Sequence, residues 1–599
     1  MPRQGSSAAT SVQALATAAA PPPPVHQMAA GAIGQAGSRD ALARLEAAMR
    51  ELKALAAQPM LDRAFAAVQK DDFKSAADWA LKALEKDERN GFGWYLLAIA
   101  RERAGDFASS ITCYESALAL RPEHSDIAND LGRLAYRMGM VVQAEKLFRH
   151  FLAAHPNNPE GANNLACTIR DQGDLDHAIA ILRPAILASP EHPMLWNTMG
   201  SVVSEQGDFA TSLLFFEESL RFDPKLNKAR YNRGAAKFSL GDSEGALVDV
   251  EAAIKQTRAE DELQMMLLLR SNVLVALGRI REGWDQYEAR LNHSLSVSIF
   301  NVGRPRWEPG ADLRGKTFLV FGEQGLGDEV LFANTLPDVI EDLGPDGQLH
   351  ISVEQRLIPL FQRSFPAAVV GPHATYDVAG KKIRTAPGIE DLSIIDLWAP
   401  MGSLLRQYRP TVESYPERER FLVADPERVA HWREVLKSAP QGPKIGLLWK
   451  SAIKANHRHR FFSPFQHWAP VLRQPGVTFV NMQYGDCAEE IEFVRKELGV
   501  EIWEPPGIDL KVDLDDVAAL SCALDLTIGF SNATVNLAAA CGAPTWLIST
   551  PGAWPRLGTD RYPWYPQVRL FATRTYGEWD TVMSEVADAL AGFAAASER

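Results

Sequence analysis

Residues 105–138 read GDFASSITCYESALALRPEHSDIANDLGRLAYRM, and the next 34, residues 139–172, read GMVVQAEKLFRHFLAAHPNNPEGANNLACTIRDQ. The two stretches differ in most residues but share one register. Outward from them, Gly105, Gly139, Gly173, Gly207 and Gly241 recur at intervals of 34, and so do Pro122, Pro156, Pro190 and Pro224. Ser110, Ala144, Ala178, Ser212 and Ala246 keep the same step and put a small residue where two antiparallel helices cross. Three classes of position in one register mark an internal repeat. Glycine suits the turn that ends a helix and proline cannot continue a helix interior, so each unit reads as helix, turn, helix.

This pattern resembles the tetratricopeptide repeat (TPR) family. An earlier unit around Asp71 and a stretched one beyond Gly278 extend it to about six or seven repeats between Met60 and Asn292. Stacked units of this kind imply a superhelix with a concave groove. Asn129, Asn163 and Asn197, with Asn164 and Asn232 one step further on, lie on the first helices, a part that faces the groove in the TPR family. An amide both donates and accepts, so such a ladder suits the backbone of an extended peptide; the alternative is a row of solvated polar residues. A repeat array by itself indicates binding rather than catalysis.

The opening to Ser38 is rich in Ala, Ser and Pro and reads as a flexible tail, followed by a short helix over 39–57. The expected division is therefore tail and helix over 1–58, array over 59–292 and a Pro, Gly and Arg-containing connector over 293–314. Beyond it the pattern alternates strand and helix. Strands are expected at Thr317–Phe321, Leu349–Val353, Ser393–Asp396, Lys444–Trp449, Val477–Met482, Leu524–Ile528 and Pro544–Ile548. A Pro and Arg-rich crossing near Tyr408 to Arg420 splits them into two Rossmann-like lobes, over 315–415 and 416–599, with a cleft between. The fold class is an α-solenoid of helix pairs followed by an α/β region.

Ligands of such lobes sit at the C-terminal ends of strands. The first strand runs into Gly322-Glu-Gln-Gly-Leu-Gly-Asp328 and a helix near Glu329, where Gly325 and Gly327 let the backbone approach a ligand; a plain tight turn would look alike. In the second lobe Lys450 and Ser451 directly follow one strand, and Ser531, Asn532, Ala533 and Thr534 follow another and open an Ala-rich helix over Val535–Cys541. Free N–H groups at that helix start suit a phosphate. Lys450 and the run His457 to Arg460 supply positive charge, unless the run is a solvated loop.

GEQGLGDEVLFANTLP, LLWKSAIKANHRHR, NMQYGD with its Gln483, DLDDVAALSCALDLTIG, AACGAPTW and WYPQVRLF together resemble the heptosyltransferase-related, B-type-fold (GT-B) glycosyltransferases appended to TPR arrays, in particular flagellin-modifying enzymes of the FlmG type. That resemblance implies an inverting, metal-independent transferase with no cofactor. Its donor would be a nucleotide-activated sugar, for this type a CMP-linked nonulosonic acid such as pseudaminic acid, and its acceptors flagellin Ser and Thr hydroxyls. Heptosyltransferases place an Asp right after the loop glycine, matched here by Asp328, which the resemblance makes the general base; a helix cap is the alternative role, and Glu323 and Glu329 are rivals. Donor contacts fall to Gly325, Gly327, Lys450, Ser451, Arg460, Gln483, Ser531 to Thr534 and Asn536. In one respect the chain departs from the pattern: Ser531 and Asn536 stand where related transferases have Asp and His.

A formal net charge of -13 argues against nucleic-acid partners, which need clustered Lys and Arg. Five dispersed cysteines, Cys113, Cys167, Cys487, Cys522 and Cys541, give neither a disulfide framework nor zinc-ligand spacing. No window approaches the roughly 18 apolar residues of a membrane span, and no secretion signal is read, so a cytoplasmic location is expected. Two other functions remain: a heptosyltransferase-like enzyme of lipopolysaccharide synthesis, and a scaffold without catalysis.

Overall fold

The structure, a computed structural model, describes residues 35–292, 295, 298–323, 325–378, 381–451 and 461–597. The expected flexible tail lies outside these up to residue 34. The described chain forms two compact units: one ends at Val203 and takes in Glu218–Pro224, the other holds Ser204–Glu217 and Lys225–Arg599.

Seven helix pairs follow one another along the chain: α1 (Gln35–Gln69) and α2 (Phe73–Lys86), α3 (Gly91–Arg103) and α4 (Phe107–Leu120), α5 (Ser125–Arg137) and α6 (Val141–Ala154), α7 (Pro159–Asp171) and α8 (Leu175–Ala188), α9 (Pro193–Glu205) and α10 (Phe209–Phe222), α11 (Asn227–Leu240) and α12 (Ser243–Gln256), α13 (Glu260–Ala276) and α14 (Ile280–Tyr287). The periodic glycines sit in the turn inside each pair at φ between +75° and +95°, a region closed to most side chains, and Asp71 fills the equivalent place in the first pair at +58°. Asp72, Asp106, Asp174 and Asp242 follow that turn and accept an N–H of the second helix, capping it. Ser110, Ala144, Ala178, Ser212 and Ala246 are wholly buried at the crossings. The short helix expected over 39–57 is instead the first half of a 35-residue helix that passes through Pro59. Proline removes one hydrogen bond there, but Ala57, Leu61, Ala64 and Val68 are buried in the repeat core and hold the helix on course.

In the second unit β2 (Thr317–Phe321), β3 (Gln348–Val353), β4 (Ala368–Pro372) and β7 (Leu397–Pro400) form a four-stranded parallel sheet in the order β4-β3-β2-β7. A six-stranded parallel sheet is made by β8 (Lys444–Leu448), β9 (Thr478–Asn481), β10 (Ile502–Trp503), β11 (Leu526–Phe530), β12 (Thr545–Ser549) and β13 (Arg569–Ala572), in the order β10-β9-β8-β11-β12-β13. Numbered within its own sheet, the second order is 3-2-1-4-5-6 and the first is its 3-2-1-4 opening, the doubly wound arrangement. Each sheet therefore has a switch point, between β2 and β7 and between β8 and β11, where successive loops diverge and leave a crevice. A small third sheet joins β1 (Ile299–Phe300), β6 (Lys381–Thr385) and β5 (Ala374–Val378).

Three expectations shift. The strand expected at Ser393–Asp396 starts later, because Asp391 accepts the Ser393 N–H at 2.8 Å and winds Leu392–Ile394 into a 3-10 turn before β7. The strand expected at Leu524–Ile528 is Leu526–Phe530, since the Leu524 N–H is still bonded to Leu520 O at 3.1 Å at the preceding helix end. The segment expected as a connector is woven into the fold: β1 pairs with β6, and Trp307 donates its N–H to Trp398 O at 2.8 Å.

The last repeat is welded to the sheets. Trp284 of α14 is buried, donates Nε1–H to Arg409 O at 2.9 Å and meets Trp554 and Trp564 edge-on at 5.7 and 6.4 Å. A Cβ on Gly552 would lie 2.0 Å from Phe238 O, so only glycine allows that loop to press on α11.

Candidate functional site

β2 ends at Phe321 and the chain turns through Gly322 into α15 (Leu326–Phe332), with Gly325 as its N-cap. The helix thus starts three residues before the expected Glu329, and Asp328 falls in its first turn. Three carboxylates lie close together in this loop and helix, in different circumstances. Glu323 is buried, forms a forked ion pair with Arg290 at 2.7 and 3.1 Å, and accepts the Gly402 N–H at 2.6 Å from the loop after β7. The Glu323 carboxylate raises the Arg290 guanidinium above its ordinary range, against the burial that alone would lower it. Glu329 is also buried, accepting the Glu354 N–H at 2.9 Å and lying 2.9 Å from His373 Nε2; burial pushes its carboxyl up while His373 opposes the shift. Arg384 donates to the carbonyls of Gly322 and Glu323 at 3.0 and 2.7 Å. Both rivals of Asp328 are therefore engaged in bracing the loop.

Asp328 is half-buried. Its Oδ2 lies 2.8 Å from where a Cβ on Gly325 would stand. Two phenols, the half-buried Tyr287 and the buried Tyr562, feel its charge. Burial first, and Asp328 among the nearby carboxylates, push Tyr287 of α14 above its ordinary value. Burial first, then Asp328, push Tyr562 up, against a hydrogen bond with Ser531.

The second sheet brings its own corner to the same place. After β11, α20 (Ala533–Ala540) begins two residues earlier than the expected Val535. Between α15 and α20 the longer helices are α16 (Leu336–Leu343), α17 (Ile358–Ser364), α18 (Pro426–Val435) and α19 (Leu514–Ala523), beside three of four to six residues at Leu405–Tyr408, Ala469–Leu472 and Ala488–Phe493. Asn532 caps α20 by accepting the Val535 N–H at 3.0 Å, and its Nδ2 is buried without a hydrogen-bond partner among the described residues. A Cβ on Gly327 would stand 3.5 Å from Ala533 N, so the first turns of α15 and α20 touch. Val330, Leu331 and Phe332 share one core with Val535 and Leu537. Ser531 Oγ lies 3.2 Å from the Tyr562 hydroxyl. Asn536 donates Nδ2–H to Asn532 O at 2.7 Å and accepts from the Tyr565 hydroxyl at 3.0 Å. Thr534 is buried beside it.

The remaining donor candidates are placed differently. Gln483 is a buried bracket that accepts the N–H of Trp449 and Lys450 at 3.1 and 2.9 Å and donates to Lys450 O and Tyr484 O. Lys450 Nζ is ion-paired with Glu490. Ser451 directly follows them, partly exposed. Arg460 and the run from His457 lie outside the described residues.

In the array the candidate amides bond across repeats at a step of 35 residues. Asn164 donates to Asn129 Oδ1 at 3.4 Å and Thr198 donates to Asn163 Oδ1 at 2.6 Å, parallel to Tyr95 donating to Asp130 at 2.6 Å. Asn129, Asn163 and Asn197 are buried, so a solvated row does not describe them; Asn164 and Asn232 are half-buried. Sequence reasoning missed Arg290, Tyr287, His373, Arg384 and Tyr562, because a single charged or aromatic residue carries no local sign of a distant partner. No described helix is long and apolar enough to cross a membrane.

Residues 95–159 match the family model described as tetratricopeptide repeat. Protein FlbA of Caulobacter vibrioides is 51% identical over 567 residues, covering 94% of this chain and 95% of its own. Among solved structures, a tetratricopeptide repeat protein from Parabacteroides merdae aligns at 16% identity and a TM-score of 0.35, over 39% of this chain and 92% of that one. A thermophilic TPR protein of Thermus thermophilus aligns at 19% and 0.28, over 31% and 99%. With half of its residues shared with FlbA along nearly the whole of both chains, this repeat protein with a C-terminal α/β region of parallel sheets belongs to the FlbA family.

Proposed function

We propose that this protein is an inverting protein O-glycosyltransferase that transfers a sugar from a nucleotide-activated donor to Ser or Thr of a protein acceptor. One observation carries the reading: two strand–loop–helix corners from separate doubly wound sheets touch at their helix starts, with Asp328 on one side and Ser531 to Thr534 on the other. A helix start with an unpartnered amide N–H, from Asn532, suits a leaving phosphate. In the step itself, the acceptor oxygen bonds the anomeric carbon as the bond from that carbon to the nucleotide phosphate oxygen breaks. The hydroxyl proton goes to Asp328 and the charge leaves with the nucleotide. The acceptor class, flagellin, and the donor class, a CMP-linked nonulosonic acid, rest on the sequence resemblance to flagellin-modifying TPR glycosyltransferases, with the repeats as the acceptor-holding part.

The scaffold reading has an observation of its own in favour, since Gln483, Lys450 and Asn536 all have partners within the protein. Thermal unfolding with CMP, with other nucleotides and with their sugar conjugates separates the two. A ligand present at a hundred times its dissociation constant stabilises by about 2.7 kcal/mol. The transferase reading expects such a shift with at least one of them, reduced in Asn532→Ala; unshifted melting with all of them supports the scaffold.

A further inference from the structure

Helix α1 is divided in use. From Ala57 onward Ala57, Leu61, Ala64, Ala67 and Val68 are buried in the repeat core, whereas Leu42, Leu45, Met49 and Leu52 are 57, 53, 50 and 66% exposed. Their spacing of three, four and three residues continues to Ala56, and it is the a and d pattern of a heptad rather than the wider stripe of a helix packed on a globular core. Position d holds Ser38 before the stripe and Pro59 after it, which bounds the seam at about two heptads.

We propose that this stripe pairs with the same stripe of a second copy, the two helices running antiparallel as a short coiled coil. The flanking residues choose both partner and direction. One flank carries Glu46 and Lys53, both exposed, and the other carries Ala41, Ala48 and Leu55. In the antiparallel register that sets Leu42 on Leu52 of the partner subunit and Leu45 on Met49 of the partner subunit, four apolar layers form. That register also sets Glu46 against Lys53 of the partner subunit twice, by symmetry, and Ala48 against Ala48 of the partner subunit. A parallel pair would face both charges with alanine. Over 40–56 the helix has three basic and three acidic residues, Arg44, Arg50 and Lys53 with Asp40, Glu46 and Glu51, without the basic excess of a helix that lies on a membrane.

The test is sedimentation velocity of the full chain over a concentration series. The wild type should move reversibly from monomer to dimer, and Leu45→Glu with Leu52→Glu should stay monomeric with unchanged melting. Lys53→Glu alone and Glu46→Lys alone each turn two attractive contacts into two repulsive ones and should weaken association about tenfold. An equimolar mixture of those two single variants should recover the wild-type affinity, because only the heterodimer pairs opposite charges. A monomer at every concentration, a dimer that survives the double Glu substitution, or a mixture no tighter than its components would overturn the proposal.

Discussion

After β2 the chain enters α15 beneath two buried, partnered carboxylates, Glu323 and Glu329, whereas after β11 it enters α20 beneath an asparagine cap and two tyrosines. The plan of strand, loop and helix is the same, but the first corner is braced by cations from the 3-10 turn Glu288–Leu291 that follows α14 and from the third sheet, and the second by neutral hydrogen bonds. The difference matters for chemistry. A corner braced by fixed charge can hold one further carboxylate, Asp328, near a helix start, while a neutral corner leaves its own helix start available for an anion.

The comparison can be broken most severely at Arg290. Arg290→Met leaves Glu323 buried without its cation and should cost about 3–5 kcal/mol in denaturant unfolding. Loss of less than the cost of an ordinary surface change would show that ionic bracing is not what holds the first corner. At the second corner Tyr565→Phe strands the buried Asn536 Oδ1 and should cost about 1–3 kcal/mol. Asn532→Ala removes the cap of α20 and should cost about 1 kcal/mol by the same measurement. The smallest effect is in pH dependence. The folded state raises the Glu329 carboxyl above its unfolded value, so between those two values the native state binds more protons and stability falls as pH rises. Glu329→Gln should flatten that part of the stability curve; an unchanged slope would assign it to other groups.

The array was legible because its signal is periodic: each glycine, proline and small residue is repeated, and the structure finds the glycines at positive φ and the small residues buried. The candidate amides were legible as a ladder but not as members of bonds between repeats, since a step of 35 between neighbours is visible only once repeats are stacked. In the α/β region β2, β3, β8 and β12 followed from apolar runs bounded by turn residues. The hairpin of β5 and β6 did not, because exposed strands such as Ala374–Val378 lack such a run. At the site, the Ser531 to Thr534 turn was marked by its position after a strand, and Asp328 by the resemblance to heptosyltransferases. Arg290 was not: a cation in the 3-10 turn after the last repeat helix reads as solvated until its carboxylate, 33 residues away, is brought beside it.

The most direct measurement is the intact mass of flagellin coexpressed with this protein and a pathway supplying a CMP-linked nonulosonic acid, for wild type and for Asp328→Ala. The account predicts that wild type adds the sugar's mass and that the folded variant loses at least about a hundredfold in rate, the usual share of a general base. Flagellin of unchanged mass with both proteins, or equal modification by both, would contradict it.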